Sequence, residues 1–308
     1  MLPGALRNRH GQGCLWTDLN GDGRPDLLLA GEWMPLTVLL QENGKLVNRT
    51  SEYFPQPLVG WWNCLRAADL DGDGRTDILA GNLGLNYKYK ASFEKPFHIY
   101  ADDFDGNGTF DIALGAYYGN ILYPVRGRSC SSEQMPLLKK KFPTFSDFAR
   151  ADLAQVYGEG LSQAVHYEAT FFSNAIFYQE ESGKFSIVEL PRLCQTAPVN
   201  DAVIFDLNGD QRPDLILGGN LYQSEIETGR ADAGTGRVVL NKGGREWEPL
   251  PVYESGLFLD GDLKSLALIR RGPQQASLLI AGNNKAPCQV VALPSSDERF
   301  PSERLSLK

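Results

Sequence analysis

One nine-residue pattern recurs four times in the 308-residue chain and limits its fold more than any other feature. Each copy has Asp at position 1, Asp or Asn at positions 3 and 5, Gly at position 4 and Asp at position 9. Position 2 is apolar, and a short aliphatic run ending in Gly follows. Loop 1 is residues 18–26, loop 2 is 69–77, loop 3 is 103–111 and loop 4 is 206–214. Such repetition indicates one structural unit used several times.

The spacing predicts a calcium site in each loop, about four ions in all. Ca²⁺ takes six or more oxygen ligands at about 2.3–2.6 Å, which a tight loop supplies from alternate side chains and a backbone carbonyl near position 7. Glycines between the ligands allow the tight curl; loop 4 lacks the second one and has Gln211 instead. The predicted ligands at positions 1, 3, 5, 7 (carbonyl) and 9 are Asp18, Asn20, Asp22, Arg24 and Asp26; Asp69, Asp71, Asp73, Arg75 and Asp77; Asp103, Asp105, Asn107, Thr109 and Asp111; Asp206, Asn208, Asp210, Arg212 and Asp214.

The charge of the chain favours metal over solvated surface turns, which are the alternative. The formal net charge is −8, and 13 of the 38 acidic residues are loop aspartates. Without metal, each loop would hold three or four carboxylates close together, which is repulsive even after screening. Four bound Ca²⁺ would cancel the formal charge.

The first half of each loop resembles an EF-hand, but the second half does not. An EF-hand needs a bidentate Glu at position 12 and a helix on each side. Position 12 is Leu29, Ala80, Leu114 or Leu217, within short aliphatic runs that are typical of buried strands. The sequence therefore predicts strand–loop–strand sites.

The segments around the loops predict a β-propeller. Hairpin turns at Asn43-Gly44, Ser182-Gly183 and Gly243-Gly244 follow loops 1, 3 and 4. A strand, a loop, a second strand and an outer hairpin make one four-stranded blade. Residues 262–293 repeat the strands around loop 4 with "RRGPQQAS" in place of the ligands, so we read them as a degenerate, metal-free blade. We predict an all-β, single propeller domain over residues 1–308, with five blades readable.

Two other regions carry predictions. Residues 131–170 lose the strand pattern and gain helix formers; Thr144 and Asp147 have capping-box spacing and Gly158 is a stop signal, so two or three short helices are expected. The three histidines, His10, His98 and His166, are far apart and lie in no metal or triad motif, and the five cysteines form no C-x-x-C pair. We expect the histidines to be solvated or core residues.

The repeated loop, with its aliphatic strand and Gly, resembles the FG-GAP/VCBS repeat of integrin-α-type β-propellers. It is particularly similar to VCBS repeat-containing proteins of Bacteroidetes-like bacteria, which are usually exported or surface-associated. The resemblance spans roughly residues 14–293 and implies a propeller, commonly seven-bladed, with Ca²⁺ between the first two strands of a blade. Five readable units imply either part of a seven-bladed propeller or a closed five-bladed one.

The first functional hypothesis is a non-enzymatic, calcium-binding scaffold that recognises a protein or glycan outside the cytoplasm, where millimolar calcium fills weak sites. We expect an extracellular, periplasmic or cell-surface location. The start of the chain lacks the apolar core of a signal peptide, so either the protein is cytoplasmic or the chain lacks its natural N-terminus. Candidate recognition loops are 82–96, with Tyr87 and Tyr89, and 220–236; aromatic packing is the alternative for these tyrosines and for Trp61 and Trp62.

The second hypothesis is a propeller-based polysaccharide lyase or hydrolase. Catalysis would need a carboxylate pair with distinct pKa values or a histidine base. Calcium already accounts for the acidic clusters, so no catalytic residue is predicted. The negative charge argues against nucleic acid, and no apolar run is long enough to predict a membrane span.

Overall fold

A computed structural model describes residues 10–224, 227–271 and 276–293, with the backbone alone for residues 10–12. It divides into two compact units, one formed by Met1–Tyr87 and Phe172–Lys308 and the other by Lys88–Phe171. The described residues are mostly β, arranged in several antiparallel sheets. The single-domain propeller stays a prediction at this point.

The strands share short lengths and antiparallel pairing. In chain order they are β1 (His10–Thr17), β2 (Asp26–Pro35), β3 (Thr37–Glu42), β4 (Lys45–Asn48), β5 (Val59–Trp61), β6 (Cys64–Ala68), β7 (Asp77–Gly81), β8 (Phe97–Asp102), β9 (Asp111–Tyr118), β10 (Ile121–Pro124), β11 (Val165–Ala169), β12 (Ala175–Gln179), β13 (Phe185–Glu189), β14 (Asp201–Phe205), β15 (Asp214–Gly218), β16 (Arg237–Gly243), β17 (Glu246–Pro249), β18 (Leu263–Ile269), β19 (Leu278–Asn283) and β20 (Gln289–Ala292).

The helices are short. They are α1 (Thr50–Tyr53), α2 (Arg128–Gln134), α3 (Leu138–Lys141), α4 (Phe145–Arg150), α5 (Leu153–Tyr157) and α6 (Val252–Ser255), with 3₁₀ turns at Gly158–Ser162 and Arg192–Gln195. Within the described residues, no helix is long and apolar enough to cross a membrane.

Each acidic loop joins two antiparallel strands, β1–β2, β6–β7, β8–β9 and β14–β15. The register is the same in all four copies. The Asp at position 9 lies opposite the residue that precedes position 1: Thr17↔Asp26, Ala68↔Asp77, Asp102↔Asp111 and Phe205↔Asp214. The flanking elements are strands, as the aliphatic runs predicted, and an EF-hand is ruled out.

The sheet order corrects one sequence-based assignment. The hairpin β12–β13 follows loop 3 in the chain but belongs to the sheet of loop 2, in the order β13-β12-β7-β6. Ala175 pairs with Ala80, and residues 88–171, the second unit, are inserted between β7 and β12. The position of this hairpin in the chain therefore did not predict the sheet to which it belongs.

The second unit has its own sheet, in the order β10-β9-β8-β11, and its own core. Helices α2 to α5 supply most of this core, with Leu138, Phe148, Leu153 and Val156 buried. The Thr144–Asp147 capping box opens α4, as predicted. The helical region is shorter than predicted: its last turn ends at Ser162, and β11 follows where the sequence suggested helix.

The first unit holds four sheets whose first strands are neighbours. β1 contacts β6, β6 contacts β14, and β14 contacts β18. The strands after loops 2 and 4 are buried along their whole length, because both faces of their sheets are covered. The predicted fifth unit forms the sheet β18-β19-β20; part of its "RRGPQQAS" connection, residues 272–275, lies outside the described residues.

Candidate metal-binding loops

The Asp at position 1 organises each loop by accepting backbone N–H groups. In loop 2, Asp69 Oδ1 accepts from the amides of Gly72 (2.8 Å) and Asp73 (3.1 Å), and its Oδ2 accepts from Gly74 (2.9 Å). Both glycines have positive φ, +84° and +86°, which turns these amides inward at little steric cost. In loop 4, Gln211 takes the same left-handed conformation (φ +68°) and still donates its amide to Asp206.

The Asp at position 9 is the buried member of each loop. Asp26, Asp77 and Asp214 have no exposed surface, and Asp111 is 2% exposed. In loop 2, Asp77 Oδ2 accepts from the Leu70 amide (2.9 Å) and Oδ1 from the Gln179 amide (3.0 Å) of the hairpin β12–β13. Loops 1 and 4 repeat both bonds, with Gln41 and Asn241 as the hairpin donors.

Burial raises the pKa of the carboxyl groups of Asp77, Asp111 and Asp214. The pKa of Asp77 rises to about 6, mainly through burial and further through the neighbouring carboxylates of Asp71 and Asp73. Burial also raises the pKa of Asp111 and of Asp214. A bound cation would offset both the desolvation and the repulsion, so the donor chemistry fits a hard metal ion.

Loops 2 and 3 each bring three carboxylates close together. Ligand oxygens of Asp69, Asp71 and Asp77 lie within 4.8 Å of one another, as do those of Asp103, Asp105 and Asp111. Loops 1 and 4 have Asn20 and Asn208 at position 3, and each amide oxygen accepts the N–H of position 5. The structure thus groups the carboxylates of positions 1, 3 and 9 in loops 2 and 3, whereas Asp73 at position 5 is not in this group and pairs with Arg75. The role of the predicted side chains as ligands stays a prediction.

The side chain at position 7 has a role that the sequence reasoning missed, because it considered only the carbonyl there. Arg24 pairs with Asp22 (2.6 Å) and Arg212 with Asp210 (2.7 Å). Arg75 likewise pairs with Asp73, and its Nε donates to the Gln179 carbonyl (2.7 Å). The arginine therefore neutralises part of the loop charge and ties loop 2 to its hairpin. The carbonyl ligands at position 7 stay a prediction.

Amide side chains of the hairpins link neighbouring sheets, and this too was missed. Gln179 Nε2 donates to the Leu19 carbonyl of loop 1 (2.7 Å), and Asn241 Nδ2 donates to the Leu70 carbonyl of loop 2 (2.8 Å). Each carbonyl is at position 2 of its loop. The signal was present in the sequence, because an amide residue begins the turn in "QENG", "QEESG" and "NKGG" alike.

Loop 2 has a second basic partner, Arg245, from the hairpin β16–β17. Its Nε donates to Asp71 Oδ2 (2.9 Å) and its Nη1 to Glu180 (2.6 Å). The guanidinium also lies 4.5 Å from the centre of the Tyr178 ring. One Asp71 oxygen thus already accepts a hydrogen bond from the Arg245 guanidinium of the neighbouring sheet.

The aromatic residues proposed for recognition are mostly packing residues. Tyr89 is buried and stacks on Phe97, with ring centres 4.4 Å apart. Trp62 is fully buried, and its Nε1 donates to the Leu58 carbonyl. Tyr87 and Trp61 are half-buried. Residues 225–226 of the 220–236 loop lie outside the described residues.

A cavity of about 600 Å³ opens within the first unit. It is lined by Cys14, Glu32, Arg66, Asp201 and Lys264, among others. Asp201 pairs with Arg66 and accepts the amides of Ala202 (2.7 Å) and Leu266 (2.8 Å). Its carboxylate is therefore engaged by three donors and is poorly suited to act as a general base.

Comparison with known proteins supports the repeat. Residues 18–80, which span loops 1 and 2, match the family model described as FG-GAP-like repeat. This confirms the resemblance inferred from the sequence for that segment. No curated protein matches the chain.

A solved structure similar to the chain is that of the V. cholerae biofilm matrix protein Bap1. The match has 8% sequence identity and a TM-score of 0.33, and it covers 93% of this chain and 63% of that one. The chain thus spans less than two thirds of that protein's length. A TM-score this low does not support transfer of a fold or an activity.

Proposed function

We propose that the chain is a non-enzymatic, calcium-stabilised scaffold of the propeller type that recognises a protein or glycan outside the cytoplasm. The observation that carries the proposal is the buried position-9 carboxylate, which recurs in all four loops. In loops 2 and 3 its oxygen lies within 4.8 Å of the carboxylate oxygens of positions 1 and 3. Bound Ca²⁺ would supply the positive charge that these oxygens need.

The residues of the chain would act as a clamp around each ion. Position 1 holds the loop amides, and position 9 joins the loop to the hairpin in loops 1, 2 and 4. Calcium held between these positions would stabilise the turn between the first two strands of a sheet. Such binding favours the folded state by about 2.7 kcal/mol per site at a hundredfold excess of free ion over Kd.

Two observations support the propeller arrangement. The first strands of successive sheets in the first unit are neighbours, as are the inner strands of propeller blades. The Gln179–Leu19 bond joins the sheet of loop 2 to loop 1, and the Asn241–Leu70 bond joins the sheet of loop 4 to loop 2 in the same way. We propose that these sheets are blades, and that their loops are structural while recognition uses other surfaces.

The proposal predicts about four Ca²⁺ ions per chain by calorimetry on decalcified protein, and a lower melting temperature in EGTA. The double variant Asp69→Asn/Asp73→Asn should lose one ion, while the matched surface variant Glu246→Gln should lose none. An identical melting temperature with calcium and with EGTA would refute the stabilising role. Glycan arrays and pull-downs with calcium-loaded protein address the ligand.

The enzymatic alternative, a polysaccharide lyase or hydrolase, needs two available carboxylates in a cleft. The Asp201 carboxylate in the cavity accepts from three donors, so it is not available as one of this pair. This argues against the cavity as a catalytic cleft. We expect no new reducing or unsaturated ends when calcium-loaded protein is incubated with a polysaccharide panel. Release of such ends, lost in Asp201→Asn, would favour the enzyme instead.

A further inference from the structure

Three potential ligands meet on one face of the second unit's sheet, where β11 pairs with β8. Glu168 lies opposite His98 in the register, and His166 lies opposite Tyr100, so the two histidines are diagonal neighbours. His98 Nδ1 is 2.9 Å from His166 Nε2 and 3.9 Å from Glu168 Oε2. The ligand atoms of all three residues lie within 4.8 Å of one another. Histidines that are 68 residues apart in the sequence are thus neighbours in the structure.

Neighbouring aromatic rings hold both imidazoles in place. Tyr100 stacks on His166 with ring centres 4.2 Å apart and planes 7° apart. Tyr117 meets His98 at an angle of 63°, with ring centres 5.8 Å apart. His98 is only 7% exposed, whereas His166 and Glu168 are exposed. The cluster therefore has a rigid inner side and an outer side open to solvent.

The two nitrogens of the His98 ring have different surroundings, and only Nδ1 faces the other two residues of the cluster. In the described part of the chain, His98 Nε2 is buried without a hydrogen-bond partner, and a buried polar atom left in this way costs free energy. This nitrogen is not the one that faces the cluster, and it carries the ring proton when Nδ1 offers its lone pair to a ligand. Burial lowers the pKa of both histidines, so at neutral pH each ring has a lone pair to offer.

We propose that His98, His166 and Glu168 bind a divalent transition-metal ion, with Zn²⁺ the best match. Zinc bonds to nitrogen and oxygen of about 2.0–2.2 Å at tetrahedral angles place ligand atoms about 3.3–3.5 Å apart. The separations of 2.9 and 3.9 Å bracket this value, so small side-chain adjustments would admit the ion.

The ligand type separates this site from the acidic loops. Imidazole nitrogen favours zinc and similar ions, whereas the all-oxygen loops favour calcium. Two histidines and one glutamate form a three-ligand set, which leaves a fourth position for water on the open side. One chain would thus carry a nitrogen-ligated site as well as its oxygen-ligated loops.

The test is a titration of the full chain with Co²⁺ and with Zn²⁺ in excess Ca²⁺, which keeps the loops filled. We expect one Zn²⁺ per chain by calorimetry, and Co²⁺ absorption bands of a tetrahedral or five-coordinate nitrogen-ligated site. His166→Ala and Glu168→Gln should each weaken binding by about 10-fold to 100-fold or more, since even second-shell partners of metal ligands have effects of that size. The matched control Glu246→Gln, also an exposed strand glutamate, should bind as wild type.

Two results would overturn the proposal: no stoichiometric Zn²⁺ uptake in excess Ca²⁺, or uptake that both ligand variants leave unchanged. His166 and Glu168 are exposed, so their variants should fold, which thermal melting without zinc checks. His166→Gln, with a polar side chain of similar size, serves as a second variant. The result is independent of the calcium proposal, because the His166 and Glu168 variants are compared with the wild type in the same excess of Ca²⁺.

Discussion

Loops 2 and 3 share one sequence pattern but have different surroundings. In loop 2, the carboxylates of Asp71 and Asp73 pair with Arg245 and Arg75, and Asp77 receives a hairpin amide as well as its own loop amide. In loop 3, Thr109 replaces the arginine. Among the described residues, no lysine or arginine pairs with Asp103, Asp105 or Asp111.

The motif and the residues around it have different roles in the two loops. The motif curls the loop and gathers the oxygens in both places, because its glycines and its first Asp act locally. In loop 2 the gathered charge is compensated by Arg75 of the loop itself and by the distant Arg245. In loop 3 the compensation depends more heavily on the cation that we propose.

The largest expected effect compares Asp77→Ala with Asp111→Ala in EGTA. Asp77 accepts two buried amides and Asp111 accepts one, from Phe104. A buried donor that loses its acceptor costs about 1–3 kcal/mol, so we expect losses of about 2–6 and about 1–3 kcal/mol respectively. Urea unfolding measures both. An equal or larger loss for Asp111→Ala would contradict the comparison.

The second effect is on the pH dependence of stability in EGTA. The pKa of Asp77 is raised to about 6 in the folded state, so its protonated form is favoured by folding. Its contribution to the free energy of unfolding is therefore full below its unfolded pKa of about 4 and falls as pH rises towards about 6, by up to about 1.4 kcal/mol per pH unit.

Unfolding of the wild type and Asp77→Asn across this pH range measures the contribution, which the variant should lack. In saturating Ca²⁺ the ionised carboxylate would be a ligand, and the fall should disappear. A wild-type curve parallel to that of Asp77→Asn in EGTA would count against the raised pKa.

The smallest effect comes from Arg245→Gln, which makes loop 2 more like loop 3. The lost partners, Asp71 and Glu180, are partly solvated, so we expect a loss of about 1 kcal/mol. The stabilisation by Ca²⁺ should increase, because Asp71 then has no guanidinium partner from this hairpin. Melting temperatures with calcium and with EGTA test this, with exposed Arg192→Gln as the control. An unchanged calcium effect would mean that Arg245 does not compensate the loop.

The sequence by itself determined the local structure of each repeat. Strand–loop–strand geometry, the hairpin turns and the capping box at Thr144 all depend on residues within about ten positions of one another, where periodicity and turn chemistry act. The aliphatic run after Asp77 predicted a buried strand, and β7 is one. The turn of each loop was predictable for the same reason, because the first Asp accepts amides of its own loop.

Only the tertiary structure decided how the repeats combine. It pairs β12 with β7 across the inserted unit, places Arg245 on Asp71, buries Tyr89 and brings His98 to His166. Except for the burial of Tyr89, these contacts join residues 68 to 174 positions apart. They arise from packing of whole sheets, which many strand orders with the same local pattern would satisfy. The repeated loop could therefore be predicted from the sequence, whereas the ion pair between Arg245 and Asp71 and the histidine cluster could not.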